Sequence, residues 1–243
     1  MLAIFRREIS SFFSSPIAYL VIGVFLVFNG LFLWVFKGEF NIFDNGFADM
    51  SNFFLLAPWL FLMLIPAITM KSFSEERRLG TIELLFIKPL SLYQIVLGKF
   101  LAAMGLIAIA LLPTLLYVYC ITQLGHGPAN PDLGQITGSY FGMFFLIANF
   151  AAIGIFSSTL TDNQIVAFIT AVILSFVFYF GFEALSGLLE GGEWALFVRN
   201  LGMKARVESL ARGVLDSRDV VYFLSSAFLF LFLATLQLKT MKR

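Results

Sequence analysis

Cysteine and histidine are nearly missing: the 243 residues contain one of each, Cys120 and His126. A single cysteine excludes an internal disulfide, and one Cys with one His falls short of the three or four ligands of a usual zinc site. Charge is scarce too, at 13% of residues, where a soluble domain carries about 25%. The 16 basic and 15 acidic side chains nearly cancel, leaving a net charge of +1, so no global field exists to recruit nucleic acid or an acidic substrate. No GxxxxGK[ST] loop occurs. The nearest stretch, Leu97-Gly98-Lys99-Phe100, lacks the first Gly and the hydroxyl that would hold Mg²⁺. Neither HExxH nor an intramembrane Ser and His arrangement is present, which argues against a membrane enzyme and leaves no catalytic residue, metal ligand or cofactor to assign in this chain.

Apolar residues are abundant, at 60%, and 31 residues are Phe. Six stretches carry no charge: 9–36, 50–70, 100–131, 133–161, 163–182 and 220–238. Each holds the roughly 20 residues that cross a hydrocarbon core of about 30 Å. The expected fold is an all-α integral membrane protein, a single transmembrane domain over 1–243 with spans near 17–36, 53–70, 100–121, 139–159, 165–186 and 220–238. The first span reads as retained, because no small-x-small cleavage site separates Ile17–Phe36 from Lys37. Before it, Leu2, Phe5, Ile9 and Phe12 recur at helical spacing with Arg6 and Arg7 elsewhere on the wheel, which predicts an interfacial helix over 1–15.

Basic residues set the orientation. With both termini inside, the inner segments carry Arg6, Arg7, Lys71, Arg77, Arg78, Lys88, Lys99, Lys239, Lys242 and Arg243, against Lys37 alone in the first two outer loops. The stretch 187–219 dissents, with Arg199, Lys204, Arg206, Arg212 and Arg218 on the outer side.

The inner segment 71–99 is the richest in signals. Ser72 with Glu75 fits a capping box and predicts a helix start. Leu79, Ile82 and Phe86, with Leu85 beside them, form an apolar stripe that would anchor this helix, and Pro89 would end it. Ser91 with Gln94 fits a second capping box that opens the helix of span three. An amphipathic helix of this kind equally suits a lipid surface.

Lys71 to Leu85, KSFSEERRLGTIELL, followed by Lys88-Pro89-Leu90-Ser91 and Ile95-Val96-Leu97-Gly98-Lys99, resembles the signature segment of ABC-2 type transporter permeases. Thr161-Asp162-Asn163-Gln164-Ile165-Val166-Ala167 is similar to the polar turn those permeases carry between spans four and five. Within the family, the compact length and the form of these segments look like the permease subunit of the gliding-motility-associated ABC transporter of Bacteroidota. The resemblance implies a multi-pass protein of the bacterial inner membrane with both termini cytoplasmic. Its partners would be two copies of a cytoplasmic ATPase, which holds the ATP and Mg²⁺, and a second permease half. That half is either a different membrane subunit with a large extracytoplasmic part or a second copy of this chain. It implies ATPase-coupling roles for Glu75, Glu76, Arg77, Gly80, Thr81, Glu83 and Leu84, with Thr161, Asp162, Asn163 and Gln164 as a smaller contact. Two functions fit: export driven by the partner, or mechanical and assembly work on envelope proteins without a transported substrate.

Inside the spans, Asn29, Thr114, Asn149 and Ser175 suit interhelical hydrogen bonds or a pathway, and Gly138 with Gly142 makes a GxxxG surface. Pro58, Pro66 and Pro113 should bend their helices, and Glu183 near a span end should reach water. Between spans five and six, Trp194, Phe197, Val198 and Leu201, then Val207, Leu210 and Val214, predict two short amphipathic outer helices.

Overall fold

Backbone polar groups in hydrocarbon must be satisfied within their own segment, and helix is the local solution for runs of this composition. The computed structural model describes residues 1–45, 49–87, 90–124, 132–189, 192–213 and 216–242, and every regular element among them is helical. Six stretches are long and apolar enough to cross a membrane: Pro16–Val35, Ser51–Arg78, Leu92–Leu124, Leu133–Leu160, Gln164–Leu188 and Ser217–Met241.

Helix α1 (Leu2–Ser14) precedes span one, which is α2 (Pro16–Gly30) closed by a π turn at Leu31–Val35; Ser15 caps it and Pro16 takes the first helical position. A short α3 (Ile42–Asn45) leads to span two, α4 (Ser51–Thr69) and α5 (Lys71–Arg78). Helix α6 (Ile82–Ile87) follows. Span three is α7 (Leu92–Leu111) and α8 (Leu115–Leu124), joined by a 3₁₀ turn at Leu112–Thr114 where Pro113 removes a donor. Span four is the unbroken α9 (Leu133–Leu160). Span five is α10 (Gln164–Phe176), a π turn at Val177–Gly181 and α11 (Phe182–Leu188). Then come α12 (Glu193–Leu201), α13 (Met203–Leu210) and span six, α14 (Ser217–Met241).

Helix α9 is the centre of the bundle, with α4, α5, α7, α10, α13 and α14 all packed on it and Phe150, Ala151, Ala152 and Ile153 fully buried. The Phe-rich composition fills the space around it: Phe25 of span one stacks on Phe61 of span two at 4.5 Å, and Phe145 of α9 on Phe223 of α14 at 6.0 Å. Some interior polar groups tie helices together, while others bond within their own helix. Asn149 donates to the Phe145 and Phe223 carbonyls, and the Thr114 and Tyr140 hydroxyls lie 2.9 Å apart. Asn29 bonds within its own helix, to the Phe25 carbonyl. Ser175 is buried with no hydrogen-bond partner among the described residues. Glu183 is ion-paired with Lys204 at 2.6 Å.

Two sequence expectations need correction here. The first concerns the capping box at Ser72 and Glu75. Met70 has helical φ and ψ and its N–H bonds the Pro66 carbonyl, so the helix of span two carries on through Arg78 and Ser72 lies inside it without capping anything. The second concerns the outer helices. Helix α12 has no buried residue and stays on the surface, but α13 buries Met203, Val207 and Leu210. It lies on the GxxxG of α9: a Cβ at Gly138 would collide with the Leu210 carbonyl oxygen and meet the Gly213 Cα at 3.0 Å. The small-residue surface is thus used within the chain. Val214 of the expected second stripe and His126 lie outside the described residues. The Ser91 and Gln94 box is present, with reciprocal bonds of 3.3 and 3.2 Å opening α7.

Candidate functional site

One end of the bundle collects the signals of both family-like segments, and it is built around a buried cation. Lys99, on the first turns of α7, is 2% exposed. A lone ammonium is costly away from water unless it is paired, and its surroundings supply acceptors. Nζ donates to the Ser72 carbonyl at 2.6 Å and to Glu8 and Glu76 at 3.1 Å each, and stands 5.0 Å over the Phe73 ring. Arg7 closes the cluster from α1, reaching Glu8 at 2.6 Å and Glu76 at 2.8 Å. Burial alone would raise the Glu8 carboxyl; the charge of Lys99 and hydrogen bonds from Arg7 and Lys99 outweigh it and hold Glu8 below the usual carboxylate range. Burial likewise works against the Arg7 cation, and its two carboxylates more than restore it.

The cluster joins three elements that sequence spacing leaves unrelated: α1, α5 and the start of α7. Their contact is close. A Cβ at Gly98 would come within 2.9 Å of Ile4 Cβ, so α1 lies directly on α7. A cleft of about 420 Å³ opens beside the cluster, with Lys71, Glu75 and Ser11 on its wall.

Arg77 faces the other way and makes the second link. Its Nη1 donates 2.8 Å to the Thr159 carbonyl at the last turn of α9, a charge-assisted bond of the class worth about 1.5–3 kcal/mol. The turn Thr161–Gln164 begins two residues later. There Asn163 caps α10 through a 2.9 Å bond from the Ile165 N–H, and Thr161 Oγ1 accepts from the Asn163 N–H at 3.1 Å. Asp162 and Asn163 are exposed, while the Gln164 side-chain nitrogen is buried without a partner among the described residues. The two segments that resemble permease signatures therefore meet in space, tied through Arg77.

The stripe expected at Leu79, Ile82 and Phe86 is not one face of one helix. Helix α5 ends at Arg78; the Leu79 and Gly80 N–H groups close it on the Glu75 and Arg77 carbonyls, and Gly80 has φ +68°. A left-handed residue after the last turn is the usual C-terminal cap, and Gly takes it without the cost a Cβ brings. The chain turns there, Thr81 Oγ1 bonds the Glu76 carbonyl at 3.3 Å, and α6 starts with a new phase. Ile82 and Phe86 still pack on the core, Leu85 is buried at 4%, and Leu79 is 62% exposed and anchors nothing. The outward side of this region presents Arg78, Leu79, Gly80, Glu83, Leu84 and Ile87. Glu75 is partly exposed and 4.0 Å from Arg78, whereas Glu76 is turned into the Lys99 cluster.

Sequence reasoning missed Glu8 and Lys99 and joined two helices across Gly80. Signals for both existed. Arg77 and Arg78 followed by Gly80 is a helix C-terminus pattern, and Glu8 is the one acid of an otherwise basic amphipathic helix, with Lys99 the one cation at the mouth of a long apolar run.

Residues 40–193, more than half of the sequence and including both segments, match the family described as ABC-2 family transporter protein. Among curated proteins none matches significantly. The chain belongs to the ABC-2 family of transporter proteins: it is a multi-pass membrane component, and membership implies association with an ABC ATPase.

Proposed function

We propose that this chain is one permease half of an ABC transporter and that the Lys99 end of the bundle receives the motion of a separate ATPase dimer. The carrying observation is the Arg77 bond to the Thr159 carbonyl, which ties the helix of span two to the turn between spans four and five. A load applied at either segment is shared by both. The facing residues are then Glu75, Gly80, Thr81, Glu83 and Leu84 with Thr161, Asp162, Asn163 and Gln164, while Glu76 and Arg77 hold the platform in shape. Ile82, Phe86 and Leu85 anchor α6, and Leu84 and Ile87 are its free apolar contacts; Ile87 is 79% exposed. Nucleotide and Mg²⁺ belong to the partner.

In this reading the Lys99 end and both termini face the cytoplasm across the bacterial inner membrane. The outer basic residues, which oppose that orientation by count, support it by pairing: Arg199 pairs with Glu208 at 3.1 Å, Lys204 with Glu183 at 2.6 Å and Arg206 with Asp219 at 2.9 Å. The complete unit contains two permease halves, because six spans enclose too little of a path, and the resemblance of segments 71–99 and 161–167 favours a role in gliding motility. Export and mechanical work on envelope proteins share this coupling, and a flux assay separates them.

The test is Leu84→Asp in the membrane-embedded protein. Leu84 is exposed, so insertion and thermal stability should stay at wild type while ATPase co-purification in mild detergent is lost. Co-purification at the wild-type level would remove α6 from the interface.

A further inference from the structure

The end of the bundle opposite Lys99 holds a second, smaller cavity of about 270 Å³, walled by α13, the starts of α4 and α9, and the π turn of span five. Of the five basic residues between 187 and 219, three are ion-paired and Arg218 does not line this cavity. Arg212 does line it, and has no acidic partner among the described residues. Lys204 and Glu208 share the wall with opposite charges, so Arg212 leaves the lining with an unmatched positive charge. Ser139 adds a donor: it is 3% exposed, borders the cavity, and its hydroxyl makes no hydrogen bond among the described residues. Phe54, Leu55, Met143, Val207 and Ala211 make the apolar part of the wall, beside Tyr179 and the Ser51 and Gln135 side chains, which bond each other at 3.4 Å.

We propose that this cavity binds the phosphate-bearing headgroup of an amphiphile. A guanidinium presents a planar fork that matches phosphate oxygens and carries its charge at every physiological pH, and the buried Ser139 hydroxyl supplies a third donor to an oxygen held there. The apolar wall takes the first carbons of the attached chain. The volume lies just below the roughly 300–1,000 Å³ of small-molecule pockets, so it holds a headgroup and not a whole lipid. Helix α12 places the cavity at the right depth. Trp194 is 77% exposed and Phe197 57%, and exposed aromatics of this kind sit at the boundary between headgroups and hydrocarbon. The proposal deepens the permease reading by naming a ligand class at the end away from the ATPase, and rests on it only for which leaflet supplies the ligand.

The experiment measures retention of phosphatidylglycerol, diacylglycerol with the same chains and free glycerol 3-phosphate by the purified full chain in mild detergent, using native mass spectrometry. Phosphatidylglycerol should be retained, Arg212→Gln should weaken it by about tenfold or more, the equivalent of one charge-assisted hydrogen bond, and Ser139→Ala should weaken it less. Retention of glycerol 3-phosphate as tightly as the lipid supports the phosphate site and assigns its supply to solution. Diacylglycerol retained as well as phosphatidylglycerol, or Arg212→Gln at wild-type affinity, overturns the proposal. ATPase co-purification, followed on the same variants, should not change. Its loss in the wild-type preparation would count against the permease reading while leaving the lipid result intact.

Discussion

Replacing Lys99 by Met keeps the length and apolar stem of the side chain and removes only the charge. The wild-type ammonium satisfies the Ser72 carbonyl and two carboxylates within 3.1 Å while 2% exposed. Removing one partner of a buried ion pair costs about 3–5 kcal/mol because the other charge stays behind. Here the two carboxylates left behind retain 13% and 16% exposure and Arg7 still bridges them at 2.6 and 2.8 Å, so the penalty drops to about 2–3 kcal/mol. Loss of the cation over Phe73 lies within that range. For a chain of this size the cost corresponds to a fall of about 4–12 °C in Tm, read by thermal unfolding in detergent. The unpaired carboxylates are the stated cause, so adding Glu8→Gln and Glu76→Gln to Lys99→Met should recover most of the loss. A wild-type Tm for Lys99→Met would refute the buried cluster. A triple variant no more stable than Lys99→Met would refute the carboxylates as the source.

The remaining expectations follow from single contacts. Because Glu8 is held below its ordinary value of 4.5 in the folded chain, its ionisation stabilises the fold at pH above that value; this contribution should fade as pH falls below about 4.5 and vanish once Glu8 itself protonates. Thermal scans from pH 6 to 3 should show the fall in wild type and a shallower one in Glu8→Gln; identical slopes would remove Glu8 from the account. Gly138→Ala should cost about 1–3 kcal/mol, since the new methyl meets the backbone of Leu210 and Gly213, and should raise proteolysis of α13; unchanged cleavage would mean the helix does not sit on α9. Arg77→Gln should leave ATPase binding near wild type but lower substrate- or partner-coupled ATP turnover, as the 2.8 Å link to Thr159 is lost; coupled turnover at the wild-type level would show the link to be ornamental.

Much of the fold is legible from one property, the absence of charge over long runs, because hydrocarbon tolerates only helices there. The places where reading fails are places where two distant segments decide the outcome. Gly142 reads as a surface for any helix, and only the fold selects α13 as its neighbour. Ser72 has the spacing of a cap, yet Met70 stays helical and Ser72 gives its carbonyl to Lys99 from 27 residues away. Leu79 falls on the stripe when the helix is drawn straight, and leaves it once Gly80 takes φ +68°. The Ser91 box survives because it is purely local.

The distribution of polar contacts is consistent with the proposed role of 71–87 in transmitting force. Up to Arg78 the segment is held three ways: by the Lys99 bond to the Ser72 carbonyl, by Glu76 in the charge cluster, and by Arg77 on the Thr159 carbonyl. After Gly80 the hold weakens, since α6 has a single fully buried side chain, Leu85, and faces outward with Leu84 and Ile87. In the proposed reading, a stiff lever followed by a left-handed turn and a lightly held tip would let the tip adjust to a partner's surface while displacement passes to spans two through five. In the proposed reading, loosening the lever and altering the tip should therefore fail differently. Variants at Lys99 or Arg77 weaken coupling while the partner stays bound, and variants at Leu84 lose the partner while the bundle keeps its stability.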